Sequence, residues 1–402
     1  MSVKAAQVAF YDAPHQFEPL LPSARYTGEL REMGDQLARE SLRLQGGAHE
    51  SVVSEVRDLV RAMNSYYSNR IEGQSTHPLY IAQALTQHFA DQPDIARRQR
   101  LALAHVHAER QLEDLVRSNA DPLCSQFTRV AHQALYERLA EVDRLSEEGT
   151  PIEPGALRTM DVQVHRHQPP TFTSLPRFLA RFDQVYAKRW LMNDLPHVVA
   201  CAHHRMAWVH PFADGNGRAT RLQTHAALWT LSCGLWSANR GLARRRDEYY
   251  VHLSEADMAR QGDLDGRGNL SEKMLAQWCR FFLEVCLDQV SFMATMLDLP
   301  NMKTRIAQLV ILRGQDPAKA LIYRPEIQLV LYHLFAAGPL SRGEFQQMTG
   351  FSERTATRVL KGLLDDGIVT STGHRAAIRL GLPLDALSIL LPGLYPEAAT
   401  SP

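Results

Sequence analysis

Two stretches with apolar residues at helical spacing, Leu195–Val209 and 217–231, are joined by the run His-Pro-Phe-Ala-Asp-Gly-Asn-Gly-Arg-Ala-Thr-Arg at residues 210–221. That junction constrains the fold around it. One helix must end near His210 and another must begin at the glycines, because Gly-Asn-Gly supplies backbone conformations that other residues resist. Leu222, Ala226 and Trp229 fall on the inner face of the second helix. Phe212 is expected to anchor the loop in the core and to take no part in chemistry. Arg218 and Arg221, three positions apart, fall on one helical face. Backbone N–H groups at such a helix start are unpaired and suit phosphate oxygens. A tight helix connection with solvated arginines is the bland reading of Gly-Asn-Gly alone. A titratable His210, a carboxylate at Asp214 and two guanidinium groups on the same turn favour phosphoryl or nucleotidyl transfer.

The twelve residues resemble, position by position, the Fic-domain signature His-x-Phe-x-(Asp/Glu)-Gly-Asn-Gly-Arg-x-x-Arg. The resemblance implies a mainly α, Fic-type helical bundle with a β-hairpin flap. It also implies transfer of AMP from ATP to a Ser, Thr or Tyr hydroxyl of a target protein, or of the chain itself. On that footing His210 is the general base, Asp214 the Mg²⁺ ligand, and Gly215, Asn216 and Gly217 the anion hole. Arg218 then holds the β-phosphate and Arg221 reaches the γ-phosphate. The chemistry agrees residue by residue. A hydroxyl needs a base within reach to attack phosphorus. The departing pyrophosphate needs a metal and fixed cations. Arginine donates to two phosphate oxygens at once. Neither a P-loop nor a Gly-x-Gly-x-x-Gly fingerprint occurs. Gly215 separates the chain from the phosphotransfer branch, which tends to replace the first glycine of the anion loop.

A second match lies upstream. Ser68-Asn-Arg-Ile-Glu72-Gly73 fits the inhibitory pattern (Ser/Thr)-x-x-x-Glu-(Gly/Asn) of the same family. It ends an expected helix over 50–72 whose apolar stripe is Val52, Val56, Leu59, Val60 and Met63. Gly73 is placed to leave that helix in a left-handed conformation. A Glu at a helix C-terminus faces the unfavourable end of the macrodipole. A surface position is the bland alternative to a specific cationic partner. The resemblance implies that Glu72 pairs with Arg221 and blocks the γ-phosphate position, with Ser68 as part of the same device. Residues 162–170 alternate apolar and polar before Pro-Pro, as one arm of a hairpin does. The resemblance makes this a flap that clamps a target segment by strand addition, with Val164 among the nucleotide-contacting residues. The chain has His165 where many relatives carry Gly, and both His165 and His167 are expected to face solvent. Tyr249 and Tyr250 fall where the family lines its adenine and ribose pocket, against the bland reading of helix packing. Asp257 falls where some relatives contact the ribose.

The 402 residues leave room for two or three domains. The divisions expected are an N-terminal arm (1–48), a helical region with the inhibitory helix (49–120), a Fic core (121–300), a linker helix (301–323) and a separate C-terminal domain (324–402). In the last, helices over 324–337 and 341–348 precede a third that is N-capped by Ser352. Residues 367–373 and 376–380 can pair as a hairpin. Three helices and a hairpin resemble a winged helix, with 352–364 as recognition helix. Its Arg354, Arg358 and Lys361 leave DNA contact open beside protein docking and dimerisation.

Composition excludes little and contradicts nothing. The 44 basic and 44 acidic residues cancel, so charge suggests neither a nucleic-acid coat nor a membrane surface. No apolar span is long enough for a bilayer, and five scattered cysteines without a Cys-x-x-Cys pair suit a reducing, cytosolic compartment. Residues 263–268 superficially resemble a calcium loop but lack its later ligands, which leaves a turn. Two other functions stay open: a winged-helix transcriptional regulator that uses the Fic fold as a ligand sensor, and an enzyme that removes AMP.

Overall fold

The computed structural model describes residues 11–47, 49–146, 149–164 and 167–396. His165 and the start of the 147–155 loop therefore lie outside the described residues. A 3₁₀ turn at Pro14–Phe17 delivers Phe17 into the core. Helix α1 (Ala24–Gln45) follows, with Leu30, Leu37 and Leu44 spaced seven apart on one buried stripe. Trp236 Nε1 donates to Ser41 Oγ at 3.1 Å. The segment 24–45, expected within an N-terminal arm, is thus a core helix, because a 22-residue amphipathic helix must bury its stripe against something.

Helix α2 (Glu50–Ile71) buries Val52, Val56, Val60 and Met63, while Leu59 is only partly covered. It also buries polar residues: Arg61, Asn64, Ser65, Ser68 and Asn69. Glu72 is its C-cap and Gly73 leaves at φ 73°, as expected. Helices α3 (Pro78–Leu85) and α4 (Pro93–Arg117) each start with proline, whose missing N–H costs nothing at that position. Then come α5 (Ser125–Tyr136), α6 (Leu175–Tyr186) and α7 (Leu195–Val209). Helix α7 is apolar nearly all round because it is buried nearly all round.

Helix α8 (Asn216–Ala227) carries the second half of the signature run. It packs on α7 on one side and on α4 and α5 on the other, so all of 218–227 is buried. The helix expected over 217–231 is divided at Leu228, and α9 (Trp229–Ser232) ends at a left-handed Cys233. Helices α10 (Ala238–Arg244) and α11 (Arg246–Glu255) lead through the 263–268 turn to α12 (Glu272–Leu297), which backs α1 and α7. No helix among the described residues is long and apolar enough to cross a membrane.

The C-terminal part comprises α13 (Leu299–Gly314), α14 (Ile327–Ala336), α15 (Arg342–Thr349) and α16 (Glu353–Asp365). Strands β1 (Val369–Ser371) and β2 (Ile378–Leu380) pair antiparallel, Val369 opposite Leu380, and α17 (Leu387–Leu390) follows. A Ser341/Glu344 capping box starts α15. Ser352 occupies the N-cap of α16, but its hydroxyl donates to Thr355 Oγ1 and caps no backbone N–H. This part is not separate, contrary to expectation. One continuous apolar core runs from Phe17 to Tyr395. The Tyr395 ring meets Tyr66 edge-on at 5.4 Å and its hydroxyl donates to Ala62 O at 3.2 Å. Arg240 Nη2 donates to Gly393 O at 2.7 Å. Leu387, Leu390, Leu391 and Leu394 fold back and are buried, so the chain beyond the hairpin closes onto α2 and α10.

Burial holds several histidines neutral: His105 and His203 are pushed down to about 3, His132 and His210 to about 4. The unfolded chain protonates these rings near pH 6.5 and the folded one does not, so stability is lost as pH falls through 6.5 toward 4. Glu109, raised by burial to about 7, and His225, raised by Glu109 and Glu113 against its burial, act in the opposite direction. His107, His197 and His204 are lowered by burial as well, against Glu55 among the raised groups near this range, so acidification brings a net loss of stability, about 1.4 kcal/mol per pH unit for each unbalanced proton. Melting by circular dichroism is expected to show Tm falling by several degrees from pH 7 to pH 5; a flat profile would contradict it.

Candidate active site

His210 ends α7 in the left-handed conformation, φ 50°. Its carbonyl accepts from Arg158 Nε at 2.9 Å. Arg158, fully buried, also donates to Met160 O at 2.9 Å and to Pro170 O. One guanidinium therefore ties the signature loop to both ends of the 162–170 arm. Burial first, then His167 and Arg158, hold the His210 imidazole well below its ordinary pKa. It is neutral at pH 7, the form a proton acceptor requires.

The loop after His210 is pinned from below. Phe212 is buried and stacks on His132 at 4.0 Å. Asn216 Nδ2 donates to Phe212 O and its Oδ1 accepts from Phe212 N, both at 2.9 Å. The Asn216 side chain is thus committed to the loop, which leaves its backbone N–H for any anion. His132 Nδ1 accepts from Gly155 N at 2.9 Å, so Nε2 carries the proton and donates to Asp214 O at 3.1 Å. Gly215 sits at φ 76°, where a Cβ would strike the Tyr136 ring. The Asp214 carboxylate accepts from Gly215 N, stays partly exposed, and lies 3.6 Å from Arg218 Nη2.

Arg218 donates through Nη1 to Gln74 Oε1 and through Nη2 to Tyr136 OH, both at 2.9 Å. Arg221, almost fully buried, donates through Nε to Ser68 Oγ at 3.0 Å. Its Nη2 reaches Ser68 O at 3.1 Å and Glu72 Oε1 at 2.5 Å. A Cβ at Gly217 would collide with that same Glu72 carboxylate, so the acid lies against the start of α8. Burial pushes Glu72 up, but Arg221 and then Arg218 outweigh it, and its carboxyl titrates below the usual range. Arg221 is buried while the Glu72 side chain stays partly exposed, so removal of the acid leaves a buried cation in need of another anion.

The structure brings together His210, Asp214, Gly215, Asn216, Gly217, Arg218, Arg221, Ser68 and Glu72. The other expected site residues are placed differently. Tyr249 is buried beside Arg221, which interacts with its hydroxyl, and that hydroxyl lies 3.0 Å from His203 Nε2. Tyr250 stands at the rim, 40% exposed, and donates to Ile71 O at 3.1 Å. Asp257 lies 3.1 Å from His204 Nε2 and 3.8 Å from His167 Nδ1, so it braces the flap base and is not free for a ribose. His167 does not face solvent: its Nε2 donates to Trp208 O at 2.7 Å and its ring lies on the indole. Val164 and His167 exchange backbone hydrogen bonds as the one bridge of the described flap. Sequence reasoning missed Arg158, His132, Tyr136 and Gln74. His132 and Tyr136 share a face of α5 at i,i+4, a legible spacing; nothing marks Arg158 or Gln74.

Residues 122–228 match the family model described as the Fic/DOC family. The protein adenylyltransferase Fic of Nematostella vectensis is 31% identical over 113 residues, 27% of this chain and 25% of that one. The protein of the same name from Drosophila melanogaster is 36% identical over 120 residues, 28% of this chain and 22% of the relative. The chain therefore spans about a quarter of the length of the curated relatives it matches. Among solved structures, a Fic family protein from Desulfovibrio desulfuricans G20 superposes with TM-score 0.50 at 17% identity, over 93% of this chain and 99% of that one. Fic-1 (aa134–508) from C. elegans does so with TM-score 0.51 at 18% identity, over 66% and 72%. These likenesses show a mainly helical, Fic-type fold.

Gly215→Ala is expected to lower stability by about 2–3 kcal/mol, from its positive φ and from overpacking against Tyr136. In a Tyr136→Ala background the same change costs less, because the steric part is gone. Urea denaturation of the four proteins measures the difference; equal costs in both backgrounds would contradict the contact.

Proposed function

We propose that the chain is a protein adenylyltransferase that transfers AMP from ATP to a Ser, Thr or Tyr hydroxyl, held in check by Glu72. The observation that carries this reading is the meeting of a neutral His210, the glycine-lined start of α8 and two buried arginines with a carboxylate from α2. In this reading His210 takes the proton from the target hydroxyl as its oxygen attacks the α-phosphorus. The backbone N–H groups of 215–217 bind the phosphate oxygens, and Arg218 leaves Gln74 and Tyr136 to hold the β-phosphate. Arg221 takes the γ-phosphate once Glu72 releases it. Asp214 fits a Mg²⁺ ion, which would neutralise charge on the polyphosphate: it is a hard, partly exposed carboxylate beside the anion cradle. Tyr250 lines the rim where the base stacks. The hairpin around Val164 presents a strand edge to the target.

Incubation with ATP labelled at the α- or γ-phosphate, followed by mass spectrometry, tests the reaction class. Label retained only from the α position is expected. Glu72→Gly raises it by about tenfold or more, equivalent to about 1.4 kcal/mol of removed competition. His210→Ala lowers it by roughly 10²–10⁴-fold. Retention of γ-label, or a Glu72→Gly protein no more active than wild type, would overturn the reading. Release of AMP from a modified target, lost in Glu72→Gly, would instead identify the reverse enzyme.

A second reading rests on the C-terminal part. Arg354, Arg358 and Lys361 on α16, with Arg375 and Arg379 at the hairpin, are all exposed. Taking 327–380 as a winged helix, they fit the backbone of a DNA duplex in a transcriptional regulator. A gel shift that survives His210→Ala but not the triple alanine replacement of 354, 358 and 361 would support it.

A further inference from the structure

Behind the signature loop, one stripe of α4 carries His105, Glu109 and Glu113, each four residues from the last. All three are at most 1% exposed, as rarely happens to ionisable residues without a bound partner. Facing them, α8 contributes His225, one turn beyond Arg221. Its Nε2 lies 3.2 Å from Glu113 Oε1 and 3.4 Å from Glu109 Oε1. One ligand atom from each of Glu109, Glu113 and His225 falls within 4.8 Å of the others. In a tetrahedral zinc site with bonds of about 2.1 Å, neighbouring donors stand about 3.4 Å apart.

Helix α2 holds both carboxylates from the other side. Arg61 donates to Glu113 Oε2 through Nη2 at 2.6 Å and Nε at 2.9 Å, which leaves Oε1 turned to His225. Asn64 Nδ2 donates to Glu109 Oε1 at 2.8 Å. Such outer partners normally fix the orientation of metal-binding carboxylates. Two positions remain unmatched. Glu109 Oε2 and both ring nitrogens of the wholly buried His105 have no hydrogen-bond partner among the described residues. His105 Nδ1 points at Glu109 Oε2 from 3.9 Å, too far for a hydrogen bond. Buried polar atoms left this way ask for a group that is not a protein side chain.

We propose that Glu109, Glu113 and His225 bind one divalent transition-metal ion of the zinc type in the interior of the bundle, with the unpartnered His105 beside them. Two carboxylate oxygens and one imidazole nitrogen are three donors that a zinc-type ion accepts, with a water to complete the shell. The ion replaces the proton on His225 Nε2, which is released to solvent. Its position fastens α2, α4 and α8 together one to two turns from Ser68 and Arg221. A buried hydrogen-bond network of imidazolium and carboxylates is the competing arrangement.

The full chain, purified without metal-affinity chromatography, is incubated with zinc chloride, dialysed and analysed by inductively coupled plasma mass spectrometry. One zinc per chain is expected to be retained, and Glu109→Gln, which keeps size and the Asn64 contact, is expected to retain none. A strong chelator lowers the Tm of the wild type but not that of Glu109→Gln. Anomalous diffraction at the zinc edge places a peak between Glu109, Glu113 and His225, a readout that holds even if the variant folds poorly. Absence of retained metal with an unchanged Tm, retention equal in Glu109→Gln, or an anomalous peak elsewhere would each overturn the proposal in favour of the proton network. None of these outcomes depends on adenylyl transfer, so the site and the catalytic reading fail separately.

Discussion

The site is organised around Arg221, an almost fully buried guanidinium that cannot be left alone. In the interior an unpaired charge is prohibitively costly, so something anionic or carbonyl-rich must always face it. In this structure α2 supplies that something: the hydroxyl and carbonyl of Ser68 and the carboxylate of Glu72. The rest of the architecture follows from holding that contact. Helix α8 must be sandwiched between α7 and the α4–α5 pair to bury the arginine. Helix α2 must run against α8 so that its final turn reaches it. In the proposed function a phosphate and Glu72 compete for this one cation.

The signature loop shows the same logic at smaller scale. Its shape is enforced by side chains that take no part in chemistry: Phe212 beneath it, Asn216 across it, His132 and Tyr136 at its flank. Arg158 connects this loop to the flap through three backbone carbonyls. His210 and the segment proposed to receive the target are therefore held by one side chain. Positioning of this quality is what a two-substrate transfer reaction needs.

Much of this was legible in the sequence, and the reasons differ by element. The junction at 210–217 was readable because glycine and histidine at fixed positions leave few backbone choices. The end of α2 at Glu72 and Gly73 was readable for the same reason. The apolar runs of α7 and α12 declared buried helices. What the sequence hid were docking partners. The stripe of α1 signalled amphipathicity but not that α12 would cover it, so the segment passed for an arm. The leucines of 387–394 signalled burial without saying where, and the C-terminal part seemed independent. Tyr249, Asp257 and His167 lie near the expected site, yet each is spent on an interior partner that lies far off in the chain. His105, Glu109 and Glu113 form a clear i,i+4 series, but without knowing that α4 is buried on that side a helix of alternating charge looks solvated.

The inward side of α2 meets three different partners along its length. Arg61 and Asn64 hold carboxylates of α4, Tyr66 and Tyr67 lie against Tyr395, and Ser68 with Glu72 engages Arg221. Sliding or tilting the whole helix would rupture all of these at once, a concerted cost that thermal fluctuation rarely meets. Unwinding only the last turn disturbs fewer contacts, because the helix already ends there at the left-handed Gly73 and the upper turns stay seated. If the proposed inhibition is relieved, local fraying of that turn costs less than rigid-body motion of the helix.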